Sequence, residues 1–254
     1  MDKLVTYEKT KVGYGLIYLN RPDKRNAIST EMRMQLKDCI LKAESEEINF
    51  LVITGSDDRM FSAGGDLSEL HGELSNGDAY ANLFPMMEVL ELLVHFPVPV
   101  IALLNGNALG GGCELATACD IRIAREGTSF GFVQSNIGIL PGWGGGEILY
   151  KKISSSFALD WLTTGSRYQA KALLEKGWVH QVIKDEAWDN QEFILQNYIN
   201  KSLSQMRLLK AQYKSRIHVE DLSRQMREEV KNTASLWESP EHKLAVQKFW
   251  ERNN

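Results

Sequence analysis

The stretch from Pro97 to Gly146 limits this chain's fold more than any other. Val98 to Leu104 is an unbroken apolar, β-branched run of the kind that makes a buried strand, and Asn105-Gly106 turns the chain behind it. Gly110, Gly111 and Gly112 then let the backbone approach a neighbour closely and open a short helix that carries Cys113, Glu114, Leu115 and Ala116. A helix that starts in glycines offers unpaired N–H groups and a partial positive charge, which suits an anion or a developing oxyanion. The same glycines also suit tight helix-on-strand packing, with Glu114 as a first-turn acid favoured by the helix dipole.

Upstream, Val5–Tyr7 and Leu16–Leu19 flank Lys11-Val-Gly-Tyr-Gly and read as a hairpin. Asn20-Arg-Pro-Asp-Lys-Arg-Asn-Ala27 is a polar turn too charged for a core, and its Lys24 and Arg25 either hold phosphates or form a solvated loop. Met32, Leu36, Ile40 and Ala43 recur at helical spacing behind a Ser29 or Thr30 cap, which predicts a helix over Thr30–Ser45. The strand Phe50–Thr54 completes a βαβ unit. Phe61-Ser-Ala-Gly-Gly-Asp-Leu67 is a second glycine turn of the same kind as the one before Glu114. Two such turns on consecutive units can aim two backbone N–H groups at one point. A helix over Asp78–His95, interrupted or started at Pro85, leads back to the central strand.

After a strand over Asp120–Ala124, Ser129–Gly146 is a third glycine-rich loop, apolar in its middle. From Phe157 onward the pattern is mostly helical, with a short strand over Val179–Ile183. In Ser202–Asn254, Leu203, Met206, Leu209, Met226, Val230, Leu244, Val246, Phe249 and Trp250 fall at helical spacing. That face packs on the parent domain or on another subunit.

With 254 residues the chain can bury a large core, and its net charge of -4 argues against a broad nucleic-acid footprint. No run reaches the ~18 apolar residues of a membrane span, and no signal-peptide core is evident, so a cytoplasmic location is expected. Three cysteines without a CxxC pair disfavour a disulfide framework or zinc site, and five scattered histidines read as core or surface residues. The glycine turns lack the GxGxxG order, the Walker lysine and the GxSxG elbow.

Four segments, Asn20-Arg-Pro-Asp-Lys-Arg-Asn-Ala27, Phe61-Ser-Ala-Gly-Gly-Asp66, Asn105-Gly-Asn-Ala-Leu-Gly-Gly-Gly-Cys-Glu-Leu115 with Cys119-Asp120, and Gly138-Ile-Leu-Pro-Gly-Trp-Gly-Gly145, together resemble the crotonase (enoyl-CoA hydratase/isomerase) superfamily. The likeness runs in order over nearly the whole chain. It implies an α/β fold in which repeated ββα units wind into a spiral. Residues 1–200 would form the core with the site, and residues 201–254 a helical region that makes trimers or dimers of trimers. It implies an acyl-CoA thioester as substrate, with coenzyme A present only as part of that substrate and no separate cofactor.

The resemblance also assigns roles. The thioester oxygen would be held by the N–H groups of Ala63 and Gly111, and the reaction would pass through an enolate. Lys24 and Arg25 would meet the coenzyme A phosphates. Ala27 and the turn of Ala63, Gly64, Gly65, Asp66 and Leu67 would lie by the adenine and pantetheine, with Gly142 also at the substrate. Of the two glutamates used by hydratases of the family, the first matches Glu114 and the second falls at Gln134, which cannot act as a carboxylate base. Decarboxylases of malonyl-type thioesters need less, because the departing CO2 leaves the enolate behind and one acid protonates it. Pro141-Gly-Trp-Gly is locally similar to the loop of such enzymes. A CoA-binding protein without hydratase activity is the remaining alternative.

Overall fold

The computed structural model describes residues 3–66, 69 and 74–253. Leu67, His71 and the side chains of Phe249 and Trp250 lie outside the described residues. Two sheets organise the core. The larger runs in the order β1 (Val5–Lys9), β2 (Gly15–Leu19), β3 (Leu51–Gly55), β5 (Val100–Leu104), β7 (Ile121–Arg125) and β10 (Gln181–Ile183). It is parallel except for the β1–β2 hairpin, with Ile17 opposite Ile53 and Leu51 opposite Val100. Every residue of β3 and β5 is buried, as expected of parallel strands covered on both faces. The smaller sheet, β4 (Met60–Ser62), β6 (Asn107–Leu109), β8 (Ser129–Gly131) and β9 (Tyr168–Gln169), is made of strands of two or three residues.

The spiral comes from alternation between the sheets. Each of β3, β5 and β7 in the large sheet is followed by a short strand in the small one, β4, β6 or β8, before the chain leaves for a turn or a helix. The loop expected over Ser129–Gly146 therefore contains β8, a 3-10 turn at Gln134–Ile137 and the start of a helix. Helix α1 (Thr30–Glu44) starts at Ser29, whose hydroxyl accepts from Met32 N at 3.2 Å, and it buries Met32, Leu36, Ile40 and Ala43.

Helix α2 (Asn76–His95) runs through Pro85 without a break, so Pro85 marks neither the interruption nor the start that was expected there. An internal proline costs about 3 kcal/mol, but Leu83, Met86, Met87, Leu90 and Leu93 are all buried on its face, and that packing holds the helix together. The turn before α1 also differs from expectation. Asn26 is fully buried, because its amide accepts from Arg21 N (2.8 Å) and donates to Met60 O (3.0 Å).

The remaining α-helices among the described residues are α3 (Gly111–Ala118), α4 (Gly145–Lys152), α5 (Ser155–Thr164), α6 (Ala170–Glu175), α7 (Gln191–Ile199), α8 (Leu203–Arg216), α9 (Val219–Ser235) and α10 (Pro240–Asn253). Helix α9 lays Leu222, Met226 and Val230 against α2 and α4, so this part of the C-terminal region packs on the core. Leu209 and Leu244, placed on the expected apolar face, are half-exposed. Among the described residues no helix is long and apolar enough to cross a membrane.

Candidate active site

The two glycine turns meet. A side chain on Gly64, which has φ +95°, would put its Cβ 2.8 Å from Leu109 O and 2.9 Å from Gly111 N. Only glycine permits that conformation and that approach. Helix α3 starts at Gly111, so its first N–H has no partner within the helix. Among the described residues neither Gly111 N nor Gly65 N has an acceptor. Both residues line a cavity of about 800 Å³. The expected donor Ala63 is corrected by this geometry, because its N–H is already given to Arg25 O at 3.0 Å. The free donor in that turn stands two residues later, at Gly65.

Glu114 lies in the first turn of α3, 1% exposed, and lines the same cavity. Its Oε1 accepts from Gln134 Nε2 (2.9 Å) and Gly142 N (3.2 Å), and its Oε2 from Trp143 N (2.8 Å) and Gly145 N (3.0 Å). Burial is the strongest influence and raises the carboxyl to about 6, against those four donors, which favour the charged form. The group therefore changes protonation near neutrality. Gln134 sits where the second acid was expected, at the cavity wall beside Glu114, and its buried Oε1 has no partner among the described residues.

The loop that holds Glu114 is itself held by Glu229, a residue the sequence pattern did not single out. From α9, Glu229 accepts from Gly146 N (3.1 Å) and Glu147 N (2.7 Å), so the free amides at the start of α4 are shared between two buried carboxylates. Burial first, and then the charge of Glu114, push the Glu229 carboxyl well above the usual range. Thr233 Oγ1 donates to Pro141 O at 2.7 Å and ties down the other end of the loop. Glu229 falls at a helical position with no local motif, and only its burial reveals it.

Lys24, Arg25, Ala27, Ala63, Gly64, Gly65, Asp66 and Gly142, all expected at the site, line the cavity. Asp66 pairs with Arg21, which fixes the turn after β4 to the loop carrying the two cations. Arg25 has φ +54°, a left-handed conformation that closes the 3-10 turn Pro22–Lys24. Of the expected set, only Leu67 lies outside the described residues.

A model of the enoyl-CoA hydratase/isomerase family matches residues 9–254. The chain is 31% identical over 230 residues to a probable enoyl-CoA hydratase of Bacillus subtilis, covering 89% of this chain and 88% of that one. It is 33% identical over 181 residues to an ethylmalonyl-CoA decarboxylase of Pongo abelii, covering 71% and 60%. The matched stretch spans about two thirds of the length of several other curated relatives. Among solved structures, it superposes on an enoyl-CoA hydratase of Thermoplasma volcanium with a TM-score of 0.78 and 33% identity, over 98% of each chain.

Proposed function

The chain belongs to the enoyl-CoA hydratase/isomerase family, and on that premise we propose that it processes an acyl-CoA thioester through an enolate, with Glu114 as the one carboxylate that moves a proton. The observation that carries this reading is the pair of N–H groups at Gly65 and Gly111, unpartnered among the described residues, on two glycine turns in contact that line the same cavity as Glu114. Fixed donors of this kind stabilise the charge that develops on a thioester oxygen, and losing one typically costs about 10²- to 10³-fold in rate. Lys24 and Arg25, at the wall of the same cavity, are suited to the coenzyme A phosphates.

Gln134 favours a second reading of the step itself. Hydration asks one group to take a proton from water and a partner to help deliver one to carbon, and an amide does neither. In a malonyl-type thioester the bond to the carboxylate breaks, its electron pair moves onto the thioester oxygen as CO2 leaves, and a single acid protonates the α-carbon. Glu114, near neutrality in its titration, is suited to that role. Turnover of crotonyl-CoA beside methylmalonyl-CoA and ethylmalonyl-CoA, for the wild type and Glu114→Gln, tests both readings. Hydration in the wild type that Glu114→Gln leaves intact rules out Glu114 as the proton carrier.

The same reading places a trimer contact on the C-terminal helices, where Leu208 and Leu209 of α8 are 67% and 52% exposed and Leu244 of α10 is 51% exposed. A monomer mass in light scattering at micromolar concentration refutes it.

A further inference from the structure

Trp143 enters the site twice, once through the N–H that holds Glu114 and once through its ring. The indole is 5% exposed and lies on Gly111: a Cβ there would come within 2.2 to 2.8 Å of three atoms of its six-membered ring. It thus fills the space beside the N–H proposed to hold the thioester oxygen. Beside it is a second, partly open pocket of about 30 Å³, bordered by Ile28, Asn82, Met86 and the exposed Thr30 and Glu69, and among the described residues Trp143 alone borders both that pocket and the main cavity. Leu83 of α2 thickens the same wall, lying 2.9 Å from where a Cβ on Gly142 would stand. The backbone that carries the ring is held in place, because Gly142 N, Trp143 N and Gly145 N are all bound to Glu114, and the ring itself is confined by its burial against Gly111.

We propose that Trp143 closes the acyl end of the cavity and restricts the substrate to short acyl groups of about crotonyl size. An acyl chain leaves the carbonyl carbon next to Gly111 and meets the indole within its first few carbons. The inference rests on the acyl-CoA reading above.

Titration calorimetry with butyryl-CoA and octanoyl-CoA, saturated thioesters that need no turnover, tests it. An apolar pocket open to the longer chain rewards each buried methylene by about fourfold in affinity. The wild type should bind octanoyl-CoA no more tightly than butyryl-CoA. In Trp143→Leu the octanoyl preference should rise about tenfold or more, and in Trp143→Phe, which keeps an aromatic ring and serves if the leucine variant does not fold, it should rise by less. A wild type that already gains about fourfold per methylene, or variants with the wild-type ratio, overturns the role of Trp143 and leaves the CoA reading standing. If no protein binds either thioester, the CoA reading falls and this inference with it.

Discussion

Replacing Glu114 by glutamine separates its chemistry from its contribution to folding. The carboxyl sits at about 6 in the fold against 4.5 as the ordinary value, a difference worth about 2 kcal/mol. The folded protein holds this proton more tightly than the unfolded chain, so this group favours folding most below pH 4.5. That contribution is lost as pH rises through the window from 4.5 to about 6, and is flat above it. Glu114→Gln removes the pH-dependent penalty. Its NH2 group, however, turns toward backbone N–H groups that the carboxylate had accepted from, and each donor left unpaired costs about 1–3 kcal/mol. The two effects oppose, and at pH 7 the variant should unfold within about 2 kcal/mol of the wild type. Its turnover should fall by about 10²- to 10⁴-fold. Urea unfolding followed by tryptophan fluorescence, from pH 4.5 to 8, gives the first quantity and thioester turnover the second. A stability gap between the two proteins that does not change from pH 4.5 to 6 refutes the burial reasoning, and unchanged turnover refutes the proton-carrying role.

Three further outcomes are expected. Changing Lys24 and Arg25 together to alanine should raise the dissociation constant of acetyl-CoA, most strongly at low salt where charge contacts are least screened; an equal constant at low ionic strength places the phosphates elsewhere. Gln134→Glu sets a second carboxylate against Glu114 at a present contact of 2.9 Å, so the pair should titrate in two separated steps, and hydration of crotonyl-CoA should appear or increase. A single step near 6 in that variant shows that the two side chains do not share a site. Glu229→Ala leaves the N–H groups of Gly146 and Glu147 without their acceptor in a buried turn and should lower stability by about 1–3 kcal/mol in urea, whereas a loss under about 0.5 kcal/mol makes the α9 clamp unimportant.

The sequence by itself determined the elements whose signal is local. Val100–Leu104 is read as a buried strand because parallel strands covered on both faces need an unbroken apolar run, and α1 because Ser29 caps a 3.6-residue apolar period. Glu114 was legible at the start of its helix because three glycines precede it, and Gln134 at its partner's place from spacing within the family motif. The small sheet was not legible, since strands of two or three residues carry no period.

What only the tertiary structure decided was the pairing of polar groups across long separations. Whether Ala63 or Gly65 keeps a free N–H depends on where Arg25 O falls, and Asn26 is buried because the chain brings Met60 O to its amide. Glu229 reaches the start of α4 from 83 residues along the chain, a contact that no local spacing encodes. A buried polar atom must be paired, and its partner is chosen by the packing of whole elements, so hydrophobic period placed the strands and helices while hydrogen-bond satisfaction in the assembled core fixed the site.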